Sequence, residues 1–332
     1  MIHKRGVYFL LALLGLSVPS HATPLFTLGP GPMNPGNNLY GMDSGSFASV
    51  ASAGLVGDGS IRFGGGLVAA NGLLYAIGSD SNSNYALYSF HYDGSGLATV
   101  GTLGNVLGWL GLTFDSANGN FYGVADNGMG MGLYQVSGAG ATFVKSIGEA
   151  PASMCGNAVD PYSGLAYDFN DGSFYGIALD ACGVNAGGDR LFKTTLAAGT
   201  PSFVMDLGGV SNTHQGGLGY GGFNSFFDIF VDVNSGNGDL QRINLGNLST
   251  TFLYDTGVQG LQNNGVAVAV AVVVPEPAIP GLVGIGLVLL GVLRWRRQKS
   301  ESVKTQSCVR MERVGSSSLV FSKRRIFHDT SN

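Results

Sequence analysis

Two kinds of residue in this sequence could carry chemistry: a pair of histidines and a set of acidic turns. His91 and His214 are the only histidines between residues 23 and 274, and they lie far apart in the chain. No Gly-x-Ser-x-Gly, His-Glu-x-x-His or phosphate-loop motif accompanies them. A nucleophile, histidine and acid could still meet around His214, but a lone histidine is more often structural. We therefore predict that the chain is not an enzyme.

Three acidic turns are better candidates for a binding site. They are Asp115–Asn120, Asp168–Ser173 and Asp232–Asp239, which place oxygen-bearing side chains at close intervals around a glycine, as calcium loops do. Asn-Gly and Asp-Gly pairs are also strong hairpin formers, because they accept positive φ. None of the three turns is followed by the glutamate that completes an EF-type loop. The sequence favours simple turns and no cofactor, with a calcium site as the alternative.

The elements that carry these turns repeat along the chain. Segments that open with Gly-Leu begin at Gly66, Gly111, Gly164 and Gly217, and their starts are 45, 53 and 53 residues apart. Each is followed by three further short runs of aliphatic, β-branched and aromatic residues, which polar turns separate. Four strands in a unit of this length indicate a propeller blade.

The two chain ends predict how the blades close into a ring. Leu39–Met42 and Phe47–Gly54 resemble the third and fourth strands of a blade that lacks its beginning. Gly265–Val270 resembles a first strand and begins 48 residues after the preceding repeat. A composite blade would complete an all-β, five-bladed β-propeller-like domain. The alternative is a β-sandwich, which accounts for the strands and glycines but not for the period.

The first 22 residues have the pattern of a secretory signal peptide. A basic start at His3-Lys4-Arg5 precedes the apolar stretch Val7–Val18, and Ser20 and Ala22 are small residues at the positions that a signal peptidase reads. We expect cleavage after Ala22 and export of residues 23–273 as one domain.

The charge of this predicted exported part is strongly acidic. Between residues 23 and 274 there are five Lys and Arg against 17 Asp and Glu, although the whole chain has a net charge of −4. Nucleic acid is excluded as a partner, because its binding needs clustered Lys and Arg. The 55 glycines show no Gly-X-Y period, which excludes collagen.

The cysteines divide between the predicted compartments. Cys155 and Cys182 fall in the exported part, where a disulfide can persist, and Cys308 falls beyond it. Both exported cysteines lie in long insertions of the third repeat, at 148–163 and 180–189. A disulfide would tie these insertions together on one side of the ring; two independent buried thiols are the alternative.

A membrane helix is predicted near the end of the chain. Residues 278–293 are 16 residues without a charge, and the run ends at Arg294, Arg296 and Arg297. As a helix it would be about 24 Å long, slightly short of a hydrocarbon core of about 30 Å. Trp295 and the arginine stems can reach the interface, and the positive-inside rule leaves the domain before the helix outside the cytoplasm.

Pro275, Glu276 and Pro277 stand in front of this run. The order of Pro-Glu-Pro, a glycine-spaced apolar helix and an arginine cluster over residues 274–297 resembles the PEP-CTERM sorting signal. The resemblance implies an exported protein of a Gram-negative bacterium, recognised and cut by the membrane enzyme exosortase and associated with extracellular polysaccharide or biofilm. Such signals usually end a protein, whereas here a basic tail follows at 298–332, which we expect to be disordered.

The sequence thus predicts a non-catalytic cell-surface or matrix protein that is first anchored in the membrane and then released. Two alternatives stay open. One is an envelope carbohydrate-active propeller enzyme, which would need carboxylates about 5 to 10 Å apart. The other is a binding module that remains anchored in the membrane permanently.

Overall fold

A computed structural model describes twelve stretches of the chain: 24–29, 37–44, 51–104, 108–126, 130–147, 162–178, 189–197, 201–208, 212–222, 224–232, 234–261 and 265–269. All of them belong to the first of two compact units, Met1–Val272. No helix within these stretches is long and apolar enough to cross a membrane. The predicted signal peptide, sorting signal and basic tail lie outside the described residues.

The described stretches contain twenty strands, which form five four-stranded antiparallel sheets. Four sheets, named blades 1 to 4, are each built from four consecutive strands. Blade 5 joins the last strand to the first three.

The strands of blade 5 from the beginning of the chain are β1 (Pro24–Gly29), β2 (Asn38–Asp43) and β3 (Ala51–Leu55). Blade 1 consists of β4 (Arg62–Ala70), β5 (Leu73–Ser79), β6 (Tyr85–Phe90) and β7 (Ala98–Gly104). Blade 2 consists of β8 (Trp109–Asp115), β9 (Asn120–Asp126), β10 (Met131–Ser137) and β11 (Gly140–Ser146). Blade 3 consists of β12 (Tyr162–Asp168), β13 (Ser173–Ala178), β14 (Asp189–Thr195) and β15 (Ser202–Gly208). Blade 4 consists of β16 (Asn212–Gly222), β17 (Ser225–Asp232), β18 (Asn237–Asn244) and β19 (Ser249–Gln259), and β20 (Val266–Val268) completes blade 5.

The blades form a closed ring. The first strands contact one another in a cycle, from β4 to β8, β12, β16 and β20 and back to β4. A sandwich has two facing sheets and no such cycle. The prediction of a five-bladed propeller is therefore confirmed, and the β-sandwich alternative is wrong.

The hydrophobic core lies between blades. Among the residues that the structure describes, buried side chains form five clusters, and each one joins two neighbouring sheets around the ring. Their large members include Phe90, Trp109, Phe174, Phe226 and Leu240, all almost inaccessible to solvent. Burying one such side chain contributes about 1.5 to 3 kcal/mol relative to leaving it exposed. A blade therefore buries its faces only when both neighbours are in position, which explains why the repeat must close.

The composite blade closes the ring as the chain ends predict. β20 pairs antiparallel with β1, with Leu25 opposite Val268 and Thr27 opposite Val266. The hydroxyl of Thr27 donates a buried hydrogen bond of 2.8 Å to the carbonyl oxygen of Gly265. β1 itself was not predicted, because the repeat pattern identified only the third and fourth strands at this end of the chain. Three strands of blade 5, not two, come from the beginning of the chain.

The glycine that opens each repeat lets the first strands approach backbone to backbone. A Cβ atom on Gly66 would overlap the amide nitrogen of Leu112 in blade 2, and one on Gly265 would overlap the amide nitrogen of Leu67 in blade 1. Both glycines have positive φ, 100° and 80° respectively, which L-residues rarely adopt. The strand pairing also shifts register at or beside this position in blades 1 to 4. The bulge and the glycine together fit five sheets around a narrow centre.

Candidate functional site

The three acidic turns connect strands at known points of the ring. Asp115–Asn120 and Asp168–Ser173 join the first to the second strand in blades 2 and 3, and Asp232–Asp239 joins the second to the third strand in blade 4. The first aspartate of each turn accepts a hydrogen bond from the backbone N–H two residues later, at 3.0, 2.9 and 3.0 Å. Its carbonyl oxygen accepts another from the glycine four residues later. These bonds stabilise the turns themselves.

In the described part of the ring, no group of three or more His, Cys, Asp or Glu side chains is placed to hold one metal ion. Asp115 and Asp168 are both buried at the ends of neighbouring first strands, with exposures of 2% and 1%. Oδ2 of Asp115 accepts a bond of 2.6 Å from the amide of Asn118, whereas Oδ2 of Asp168 has no described partner.

One surface next to Asp168 combines aromatic rings with polar groups. We name it the turn surface; it comprises Phe169, Asn170, Asp171, Lys193 and Tyr220. Phe169 is 52% exposed, and its ring meets the ring of Tyr220 edge to face, with centroids 5.1 Å apart. The side-chain amide of Asn170 donates a hydrogen bond to the hydroxyl of Tyr220. Because Tyr220 belongs to blade 4, these contacts fix the blade 3 turn against its neighbour.

An ion pair and a tyrosine hydroxyl border this surface. Lys193 Nζ lies 2.7 Å from Oδ2 of Asp171, and the hydroxyl of Tyr175 donates to the same oxygen at 3.0 Å. Lys193 also lies over the ring of Tyr175, 5.6 Å from its centroid. The group is held in one arrangement by contacts on three strands or turns of a single blade.

The electrostatics keep Asp171 charged and Tyr175 neutral. Burial alone would raise the pKa of Asp171, but hydrogen bonds from Lys193, Tyr175 and Ser173 outweigh it, so that pKa lies below its usual value. Burial, followed by the hydrogen bond to Asp171 and the charges of Asp171 and Asp168, raises the pKa of Tyr175. At neutral pH the turn surface therefore offers five groups. They are the carboxylate of Asp171, the ammonium group of Lys193, the amide of Asn170, the phenol ring of Tyr220 and the apolar ring of Phe169.

The residues behind the surface hold it against blade 2. The backbone N–H of Tyr167 donates a 2.9 Å hydrogen bond to the hydroxyl of Thr113. Burial and then the charge of Asp115 raise the pKa of Tyr167, with smaller contributions from Tyr122, Asp171 and Asp168. Carboxylates of both blade 2 and blade 3 therefore act on Tyr167.

The structure does not bring the two histidines together. His91 is exposed in the turn between the third and fourth strands of blade 1. His214 lies in β16 of blade 4, and its side chain is not among those described. Within the described residues, the acidic turn Asp168–Ser173 that the sequence singled out supplies Phe169, Asn170 and Asp171 of the surface, whereas sequence reasoning missed the part that Lys193 and Tyr220 play in it. The sequence does place an aromatic residue on either side of this polar turn. Aromatic residues at such positions are equally typical of a buried strand, so they did not indicate a binding surface.

The two predicted insertions of the third repeat attach to the same end of blade 3. The first enters the blade at Tyr162, the second leaves it at Ala178, and these two residues pair directly in the sheet. Cys155 and Cys182 lie outside the described residues, and their disulfide stays a prediction. The sorting residues Pro275, Glu276, Pro277, Arg294, Arg296 and Arg297 also lie outside them.

A small cavity lies between blades 2 and 3 and is a packing gap. Its walls include Val124, Leu133, Leu165 and Phe174, and its volume is about 20 Å³. That is room for about one water molecule, and the walls are mostly apolar. The cavity is too small to be a ligand site.

Comparison with known proteins bears on the fold alone. No protein-family model matches the chain, and no curated protein matches its sequence. Among solved structures, TolB from Acinetobacter baumannii has a TM-score of 0.46 and 11% identity, covering 74% of this chain and 56% of that chain. The structure of a nidogen/laminin complex has a TM-score of 0.46 and 9% identity, covering 75% of this chain and 98% of that chain. A bifunctional GH43-CE protein of Bacteroides eggerthii has a TM-score of 0.46 and 13% identity, and the match covers 70% of this chain and 32% of that chain. This chain thus spans little more than half of the TolB chain, and likenesses of this strength carry no functional argument.

Proposed function

We propose that the propeller is the exported body of a cell-surface or matrix protein that binds extracellular polysaccharide without catalysis. The turn surface is the observation that carries the proposal. Phe169 is 52% exposed, in a position fixed by Tyr220, with Asn170, Asp171 and Lys193 beside it. A sugar ring has an apolar C–H face, which packs on an aromatic ring, and hydroxyls, which need both donors and acceptors.

The charge of the body favours a neutral polysaccharide. Its 17 acidic residues outnumber the five basic ones, and Lys193 is already paired with Asp171. An anionic polymer would meet net repulsion at low salt, where the screening length is longest. Neutral glycans would meet none.

Export and sorting are the second part of the proposal. The signal peptide at 1–22 would direct the chain across the membrane, and the PEP-CTERM-like stretch at 274–297 would retain it until exosortase cuts near Pro275–Pro277. The support is the residue pattern, together with the acidic composition of the body. Mass spectrometry of the mature C-terminus tests this part: an intact peptide spanning Leu282 to Leu293 in all cellular protein would remove the sorting claim and leave a permanently anchored module.

Binding is tested with affinity electrophoresis of the full-length chain in gels that contain cellulose derivatives, xylan or alginate. We expect retardation by neutral polymers, at least a fivefold loss of affinity in Phe169→Ala, and weaker binding in Lys193→Met. Phe252→Ala is the matched control, because Phe252 is 57% exposed on the outer strand of blade 4, away from the turn surface. Equal losses in Phe169→Ala and Phe252→Ala would show that generic stickiness, not this surface, retards the protein.

A second candidate function is polysaccharide hydrolysis, and one observation favours it. Oδ2 of Asp168 is buried without a described hydrogen-bond partner, and Asp115 is buried at the end of the neighbouring first strand. A buried carboxyl group beside another acid is the arrangement that glycosidases use. Release of reducing sugar from a bound polymer, abolished in Asp168→Asn, would establish the enzyme. Binding without any release would favour the non-catalytic proposal.

A further inference from the structure

Two carboxylates face each other in blade 4, at the opposite end of its second and third strands from the turn surface. Asp239 on β18 pairs directly with Asp255 on β19. Directly opposite residues of an antiparallel pair extend from the same face of the sheet, so these two side chains are neighbours. Like charges in such a pair destabilise the sheet.

Asp239 is the buried member of the pair and forms no ion pair with any residue of the described stretches. It is 8% exposed, and no described residue donates a hydrogen bond to its Oδ1. Asp255 is exposed and keeps its orientation through two donors: the amide of Asn237 at 3.1 Å and the backbone N–H of Gly257 at 2.7 Å. One carboxylate is thus open to solvent, while the other is almost covered behind it.

The nearby Asp232 does not resolve the repulsion. Its oxygens accept hydrogen bonds from the backbone and side chains of Asn234 and Ser235, which bind it to its own turn. The negative charge of Asp232 raises the pKa of Asp239, as the negative charge of Asp255 also does. A buried carboxylate near two other negative charges needs either a proton or a cation, because an uncompensated buried charge is costly.

We propose that Asp239 and Asp255 together bind one divalent cation of the calcium class. The carboxylates of Asp239 and Asp255 supply the protein oxygens, and water on the exposed side of Asp255 completes the six to eight ligands that Ca²⁺ takes. Only two protein carboxylates take part, which agrees with the lack of a three-residue cluster among the described residues. Because only two protein carboxylates take part, we expect a Kd in the weak range of extracellular modules, about 0.1 to 1 mM.

The test is thermal unfolding of the full-length chain in calcium-free buffer and in 5 mM CaCl₂ at pH 7.5, with calorimetric titration for stoichiometry. With a Kd of about 0.5 mM, calcium should raise the Tm of the wild type by about 4 °C. Asp239→Asn and Asp255→Asn should each melt higher than the wild type without calcium and show no calcium response. Asp93→Asn, an exposed turn aspartate of blade 1, is the matched control and should respond like the wild type.

Each outcome decides the proposal. One calcium ion per chain, lost in both blade 4 variants and retained in Asp93→Asn, supports the site. An unchanged wild-type Tm shows that a proton and not a cation compensates Asp239, and overturns it. A calcium response that persists in Asp239→Asn, or an equal response to MgCl₂ in all variants, locates the effect elsewhere and also overturns it. Asp255 is exposed, so its asparagine variant gives a result even where Asp239→Asn does not fold.

Discussion

Replacing Gly265 with alanine should destabilise the propeller far more than replacing Gly72 with alanine. Both glycines have a φ of 80°, so both substitutions carry the same cost of about 1 to 2 kcal/mol for an L-residue in this region. Their surroundings differ. Nothing lies within 4 Å of a Cβ atom on Gly72, whereas one on Gly265 would overlap the backbone of Leu67 and Gly66.

The magnitude of the difference follows from β20. The overlap displaces β20 as a whole, because Ala267 packs against blade 1 while Val266 and Val268, 2% and 7% exposed, pack against blade 4 on its other face. Full detachment of the strand would expose both valines at a cost of about 3 to 6 kcal/mol, and a partial displacement would cost about half of that. For a domain of this size, about 2 kcal/mol beyond the shared φ cost lowers Tm by about 4 to 8 °C.

Differential scanning calorimetry of both variants and the wild type measures this difference. Gly72→Ala, in the turn between β4 and β5, should lower the Tm by only a few degrees. A loss in Gly265→Ala no larger than the loss in Gly72→Ala would refute the reasoning. It would mean that the ring does not depend on close contact between its first and last blades.

Three further predictions concern other parts of the ring. In calcium-free buffer, burial and then the charges of Asp255 and Asp232 raise the pKa of Asp239 from 3.8 to about 6. The folded state then binds the proton more strongly than the unfolded state, so the free energy of unfolding falls as pH rises from about 4 to 6, by at most about 3 kcal/mol. Urea unfolding at several pH values should show that fall in the wild type but not in Asp239→Asn; parallel curves would contradict it. Lys145→Met should cost about 1 to 2 kcal/mol in the same assay, because Lys145 Nζ donates to Oγ1 of Thr194 at 2.9 Å across the boundary between blades 2 and 3. Peptide mapping without reductant should link Cys155 to Cys182, and quantitative labelling of both as free thiols would exclude the disulfide.

The propeller could be predicted because its signal is repeated. Each repeat start marks a first strand: the four Gly-Leu starts from Gly66 to Gly217 and the Gly-Val start at Gly265 correspond to the five first strands around the centre. The glycine is required by the packing between blades, so the residue that revealed the period also explains it. β1 escaped prediction because a single strand of six residues, Pro24–Gly29, follows the predicted cleavage site with no repeat start before it.

The turn surface could not be predicted because it depends on contacts between blades. Phe169 and Tyr220 are 51 residues apart in the sequence, and only the ring brings their side chains together. Asp239 and Asp255 lie in one blade, but they too look like members of two unrelated turns until the pairing of β18 with β19 sets their register. A repeat period identifies equivalent positions, but it does not show which side chains of neighbouring units meet.

The order of elements near the end of the chain leads to a last prediction, which connects closure of the ring with the proposed sorting. β20 ends at Val268, and Ala269 still donates a 3.0 Å backbone hydrogen bond to the carbonyl oxygen of Pro24. The Pro-Glu-Pro sequence begins only at residue 275. Cleavage there would leave every described strand of blade 5 in the released body.

A chain that ends at Val274 should therefore keep the Tm of the full-length protein within about 2 °C and resist trypsin equally. A chain that ends at Gln262 lacks β20 and should lose both properties, because it exposes the faces that Val266 and Val268 cover in blades 4 and 5. If the Val274 chain melted as early as the Gln262 chain, residues beyond 274 would be needed for folding. Exosortase cleavage could not then release a stable body.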